Sequence, residues 1–125
     1  ALARLTPPPC PPLRYNNLVV QRYHPTQVGI TPHRDHICYQ GLVSLLILEG
    51  DGRFLMTADR AGNEPHEIPS PPGSLLLMRG AGFAGMKGRA FHQLRDIESG
   101  RVSFGLRYDA HAEAAMKAQD EASPR

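Results

Sequence analysis

The sequence predicts a mainly β, all-β-class domain: a sandwich or jelly roll of two sheets, about eight strands long, with a short C-terminal helix. Three observations lead there. The runs rich in Val, Ile, Leu, Phe and Tyr are short, each is bounded by Gly, Pro, Asn or Asp, and twelve Pro and twelve Gly punctuate the 125 residues. With 41% hydrophobic and 21% charged residues in 13.7 kDa, the chain has the balance of one ordinary domain with a single core.

The elements follow in order. Residues 1–15 form a Pro-rich lead-in, in which Thr6 to Pro12 reads as stiff and polyproline-like. Strands are expected near 17–23, 28–33, 42–49, 52–58, 66–68, 74–79, 90–97 and 101–108, inside a domain spanning 16–109. Gly50-Asp51-Gly52 is expected to close a hairpin between the third and fourth, since Asp-Gly accepts the positive φ of such a turn. Pro71-Pro72-Gly73 turns the chain into the sixth strand, and Glu98-Ser99-Gly100 joins the last two. The Gly-rich segment 80–88 lacks the Gly-Lys-Ser/Thr ending of a phosphate loop and opens no helix, so it reads as a mobile loop at the mouth of the barrel. The segment 110–125, with its alanines, Glu113 and Lys117, is a short exposed helix and tail.

A net charge of +2 and a pI near 8.8 are far from those of a nucleic-acid-binding tail. Arg34, Arg53, Arg79, Lys87, Arg89 and Arg95 are interleaved with acids and read as scattered solubilising charge rather than a phosphate-binding rim. No apolar stretch approaches the roughly 20 residues needed to span a bilayer, so no membrane partner is expected. Cys10 and Cys38 sit in unlike contexts and read as free thiols of a reducing, cytoplasmic setting.

Chemistry concentrates in Thr31-Pro32-His33-Arg34-Asp35-His36, His92 and the last strand. On an extended strand, side chains two apart share a face, so His33 and Asp35 can hold one metal while Arg34 points away. A jelly roll brings the seventh strand beside the second and so adds His92. Two imidazoles and one carboxylate on one face of a metal, with three positions open, are the ligand set of non-haem Fe(II) oxygenases. On the last strand Arg101, Ser103, Gly105 and Arg107 share one face, with Val102, Phe104, Leu106 and Tyr108 on the other. A core strand that buries two Arg and a Ser needs an anion opposite them, and a dicarboxylate supplies one. On the first strand Gln21 and Tyr23 share a face and offer an amide and a hydroxyl.

The order of these residues resembles the 2-oxoglutarate- and Fe(II)-dependent dioxygenases, and the stretch from Asn17 through Asp35 is similar to their AlkB-like branch. That branch has an Asn-x-Tyr strand, then His-x-Asp, and ends in Arg-x-Asn-x-x-x-Arg. Here Tyr23 matches, Gln21 stands for the first Asn, Ser103 stands for the second, and Arg101 and Arg107 keep their spacing. The resemblance covers roughly 16 to 108 and implies a double-stranded β-helix. It also implies that His33, Asp35 and His92 bind Fe(II), that Arg101 and Tyr23 hold the distal carboxylate of 2-oxoglutarate, and that Arg107 approaches the chelating end. The implied reaction consumes O₂ and 2-oxoglutarate, releases succinate and CO₂, and hydroxylates a C–H bond; on an N-methyl group it ends in demethylation.

AlkB-like proteins carry helices and a nucleotide-reading lid ahead of the first strand, where this chain shows the Pro-rich lead-in. The expectation is therefore firmer for the reaction class than for an alkylated nucleobase as substrate. A hydroxylase of a small molecule or amino-acid side chain on the same scaffold is the alternative. A cupin-like module that holds a metal without turnover is the third. Arg34 and His36 are the only substrate candidates; His24, His66 and His111 read as surface residues. Neither a substrate nor an oligomeric state is written in the residues.

Overall fold

The computed structural model describes residues 13–122, so the polyproline-like stretch 6–12, Cys10 and the last three residues lie outside the described part. The strands are β1 (Asn17–Tyr23), β2 (Ile30–His33), β3 (Tyr39–Gly50), β4 (Arg53–Thr57), β5 (His66–Ile68), β6 (Leu75–Arg79), β7 (Phe91–Arg95) and β8 (Arg101–Asp109), followed by α1 (Ala110–Ala122). Two four-stranded antiparallel sheets result, in the orders β1-β8-β3-β6 and β2-β7-β4-β5. The fold is mainly β with one C-terminal helix. Among the described residues no helix is long and apolar enough to cross a membrane.

Alternation builds the core between the sheets. Val43, Leu45 and Ile47 of β3 and Leu76 and Met78 of β6 meet Phe54 of β4, with Met56 and Ile68 packed against them. Ile47, Leu55 and Val43 are each only 1% exposed. The period of two that sends these residues inward sends Leu75 and Leu77 outward, where they stay exposed. Leu18 and Val20 of β1 are exposed on the same outer face, while Val102 of β8 is buried and Phe104 and Leu106 are half-buried. Part of this face is covered by Tyr15, whose hydroxyl hydrogen-bonds that of the buried Ser44.

The expected hairpin at Gly50-Asp51-Gly52 does not form. β3 and β4 belong to different sheets, and the turn carries the chain from one to the other. Each strand buries its inward face against the other's, which stacking achieves and side-by-side pairing does not. The turn is held instead by the neighbouring corner: Asp51 N–H donates to Gly100 O at 2.9 Å, and its carboxylate accepts from Glu98 and Ser99 N–H. Gly50 has φ +90°, and a Cβ there would collide with the Gly100 carbonyl, so glycine is required. The Gly-rich segment after β6 is likewise tied down at its start, where Gly80 N–H donates to Gly41 O at 2.7 Å and Ala81 N–H to Tyr39 O at 3.2 Å.

Candidate metal centre

His33 ends β2 and His92 lies in β7, and the two are direct register partners. Their ring centroids are 4.3 Å apart, and Phe54 stacks on His92 at 5.6 Å. Asp35 is not on the strand, as the two-residue spacing had suggested; β2 ends at His33 and Asp35 stands just beyond. Its backbone is placed there by Arg89, which donates Nη1–H to Asp35 O at 2.6 Å. One ligand atom from each of His33, Asp35 and His92 comes within 4.8 Å of the others.

The carboxylate of Asp35 divides its two oxygens. Oδ1 faces His33 Nε2 at 3.7 Å and His92 Nε2 at 3.5 Å, while Oδ2 accepts from Arg107 Nε at 3.1 Å. Burial pushes this carboxyl up, but the two imidazoles and the Arg107 charge outweigh burial and hold it well below the usual carboxylate range. The contact with Asp35 raises His33 above its ordinary value, although burial opposes this. Both imidazoles are oriented from behind. His33 Nδ1 lies 2.9 Å from Thr31 O, and His92 Nδ1 lies 3.2 Å from Ala90 O. A carbonyl oxygen only accepts, so in the neutral rings Nδ1 carries the proton and Nε2 presents its lone pair to the centre.

One cleft is lined by His33 and His92 together with Gln21, Tyr23, Arg101, Ser103 and Arg107. Arg101 is 3% exposed, and no carboxylate among the described residues lies within salt-bridge reach of it. It donates Nη2–H to Ser70 Oγ at 2.9 Å and Nη1–H to the carbonyls of Ser70 and Asp51 at 3.4 and 3.3 Å. Burial lowers Arg101 from its ordinary value, and burial likewise raises the Tyr23 hydroxyl, against the pull of Arg101 and Arg107. Arg107 lies 5.3 Å from the Tyr39 ring centroid, and its buried Nη1 has no hydrogen-bond partner among the described residues. Ser103 Oγ donates to Gln21 Oε1 at 3.5 Å. Two buried guanidiniums with donor capacity to spare make a site for an anion.

Two candidates fall elsewhere. Arg34 lies over the Phe91 ring at 4.5 Å, and His36 accepts from Cys38 N–H while its ring approaches His111. Neither lines the cleft. Of the surface arginines, Arg53 pairs with Glu67 and Asp96, and Arg95 pairs with Asp96. The sequence reading missed Ser70, Phe54 and the carbonyls of Thr31 and Ala90. Only Ser70, set among three prolines as Pro69-Ser70-Pro71-Pro72, carried any signal, since those prolines hold its backbone at a fixed turn.

No family model matches the chain, and a search of curated proteins finds no match.

Proposed function

We propose that the chain is a mononuclear non-haem iron enzyme, and more particularly an AlkB-like, Fe(II)- and 2-oxoglutarate-dependent dioxygenase on a double-stranded β-helix. The orders β1-β8-β3-β6 and β2-β7-β4-β5, with every pair antiparallel, support that scaffold, since an eight-stranded jelly roll would pair its strands in this way. The observation that carries the reading is the buried Arg101, which has no salt-bridge partner among the described residues and lies in the same cleft as His33 and His92.

The residues fit the groups they would hold. His33 Nε2, His92 Nε2 and Asp35 Oδ1 would bind Fe(II): two lone pairs and one ionised oxygen converge, and Arg107 occupies the other oxygen. Arg101, with Tyr23, would take the distal carboxylate of 2-oxoglutarate, and Ser103 and Gln21 would line its path. The unpartnered Nη1 of Arg107 would donate to the end nearer the metal. Bound iron with 2-oxoglutarate and O₂ supplies oxidative hydroxylation, which on an N-methyl group ends in demethylation. The protein's part is to orient the cosubstrate, neutralise it and keep water out, using Leu45, Ile47 and Phe54 as the apolar lining. A reducing, cytoplasmic compartment fits, because the metal must stay ferrous.

Succinate formation on adding Fe(II) and 2-oxoglutarate tests the reaction class, with loss expected in Arg101→Ala. Failure of the iron-loaded protein to bind or decarboxylate 2-oxoglutarate would leave a cupin-like metal module. A salt-dependent rise in turnover with methylated single-stranded DNA or RNA supports a nucleobase substrate; stimulation only by small methylated compounds or peptides overturns it.

A further inference from the structure

We infer that Cys38, Asp109 and His111 form a second divalent-cation site, suited to zinc and separate from the cleft. Three parts of the chain meet there. Tyr39 at the start of β3 pairs with Asp109 at the end of β8, and Ala110 N–H at the start of α1 donates to Cys38 O at 3.0 Å. These bonds pin the loop before β3 against the first turn of the helix. A sulfur, a carboxylate oxygen and an imidazole nitrogen come within 4.8 Å of one another as a result.

The donor set selects the cation. Thiolate with imidazole favours zinc and similar borderline-soft ions, whereas calcium and magnesium take oxygen. Asp109 is held ready for the role. Its Oδ1 caps the helix by accepting from His111 N–H at 2.9 Å and Ala112 N–H at 3.2 Å, which leaves Oδ2 for a cation. Burial and the neighbouring Asp109 raise the Cys38 thiol, so it keeps its proton in the metal-free site and binding must release it. His36, its ring centroid 6.2 Å from that of His111, flanks the site, and the fourth position is left to water. Because the loop from Asp35 to Cys38 joins the two centres, a cation here would fasten the segment that carries an iron ligand to α1.

Cobalt distinguishes the two centres, because only a thiolate ligand produces sulfur-to-cobalt absorption in the near ultraviolet. The full chain carrying Cys10→Ser is titrated with Co²⁺, so that any such band comes from Cys38. The band should appear, should survive His33→Ala, and should vanish in Cys38→Ser, with zinc stoichiometry falling from two to one. His111→Ala, an exposed helix position that leaves the fold intact, should weaken the band's Co²⁺ affinity by about 10-fold or more. Absence of the band at saturating Co²⁺, or an unchanged affinity in His111→Ala, overturns the site and leaves the 2-oxoglutarate reading untouched.

Discussion

Arg107 and Asp35 are joined by a 3.1 Å bond from Nε to Oδ2, and this one contact connects the two halves of the cleft. It turns the other carboxylate oxygen toward His33 and His92 and anchors a guanidinium whose Nη1 remains unspent. The guanidinium lies over Gly105, where a Cβ would press on Arg107 Nη1 and Cζ and meet the core Leu45 Cδ2. Gly105→Ala should therefore displace the Arg107 guanidinium and shift the end of Leu45 while leaving the strands in place. Circular dichroism is expected to be unchanged, while affinity for metal and 2-oxoglutarate falls together by about 10-fold or more. Unaltered affinity would show that the Arg107 contact does not tune the centre.

Each imidazole has its own support, so the two Nε2 atoms that face Asp35 should fail independently as ligands of the proposed metal. His92→Gln and His33→Gln are each expected to weaken Fe(II) or Co²⁺ binding by roughly 100-fold or more, beyond the loss typical of an outer partner. Calorimetry of metal binding checks this. Full binding by either variant would place the metal elsewhere.

On the proposed function, Arg101 separates cosubstrate binding from stability. Its charge is buried with hydroxyl and carbonyl partners alone among the described residues, an arrangement that stabilises the empty protein little. Arg101→Met should change the melting temperature of the ligand-free protein by no more than a few degrees, yet raise the KM for 2-oxoglutarate about 10- to 100-fold, the value of a charge-assisted bond. A large drop in melting temperature with KM unchanged would make Arg101 structural.

Asp51 should give the corner between the sheets a pH dependence. Partial desolvation pushes its carboxyl up, but the N–H groups of Ser99 and Glu98 outweigh this and hold it below its ordinary value of 3.8. A depressed folded value stabilises fully above the unfolded one and is lost as pH falls through the folded one. Asp51→Ala should melt lower than the native chain at pH 7, and the gap should close progressively below pH 3.8. A gap that stays constant down to pH 2 would remove the carboxylate from the account.

The sheet faces predict opposite outcomes for similar side chains. Ile47→Ala, at a position 1% exposed, should cost about 2–5 kcal/mol in urea unfolding. Leu77→Ala, at 57% exposure, should stay within about 0.5 kcal/mol. Equal costs would mean that the outer face is covered.

The strands were legible because each is a short alternating run closed by its own turn residues, a signal that needs no distant contact. The two-sided pattern of Arg101 to Tyr108 was legible for the same reason, since pleating alone puts Arg101, Ser103, Gly105 and Arg107 on one face. Gly50-Asp51-Gly52 marks the other limit. Residue type predicts that the chain turns there, but not whether the next strand pairs beside the last or stacks over it. That outcome depends on where Val43, Leu45, Ile47 and Phe54 find cover.

By itself, then, the sequence determined the mainly β class, the strand positions and the residue types of a candidate metal and anion site, because these follow from periodicity and chemistry along the chain. Only the tertiary structure decided which sheet each strand joins. It also decided that His33 stands opposite His92, that Arg107 takes one oxygen of Asp35, and that His111 comes beside Cys38. Those are contacts between residues far apart in the chain, and the burial of the shared core sets them.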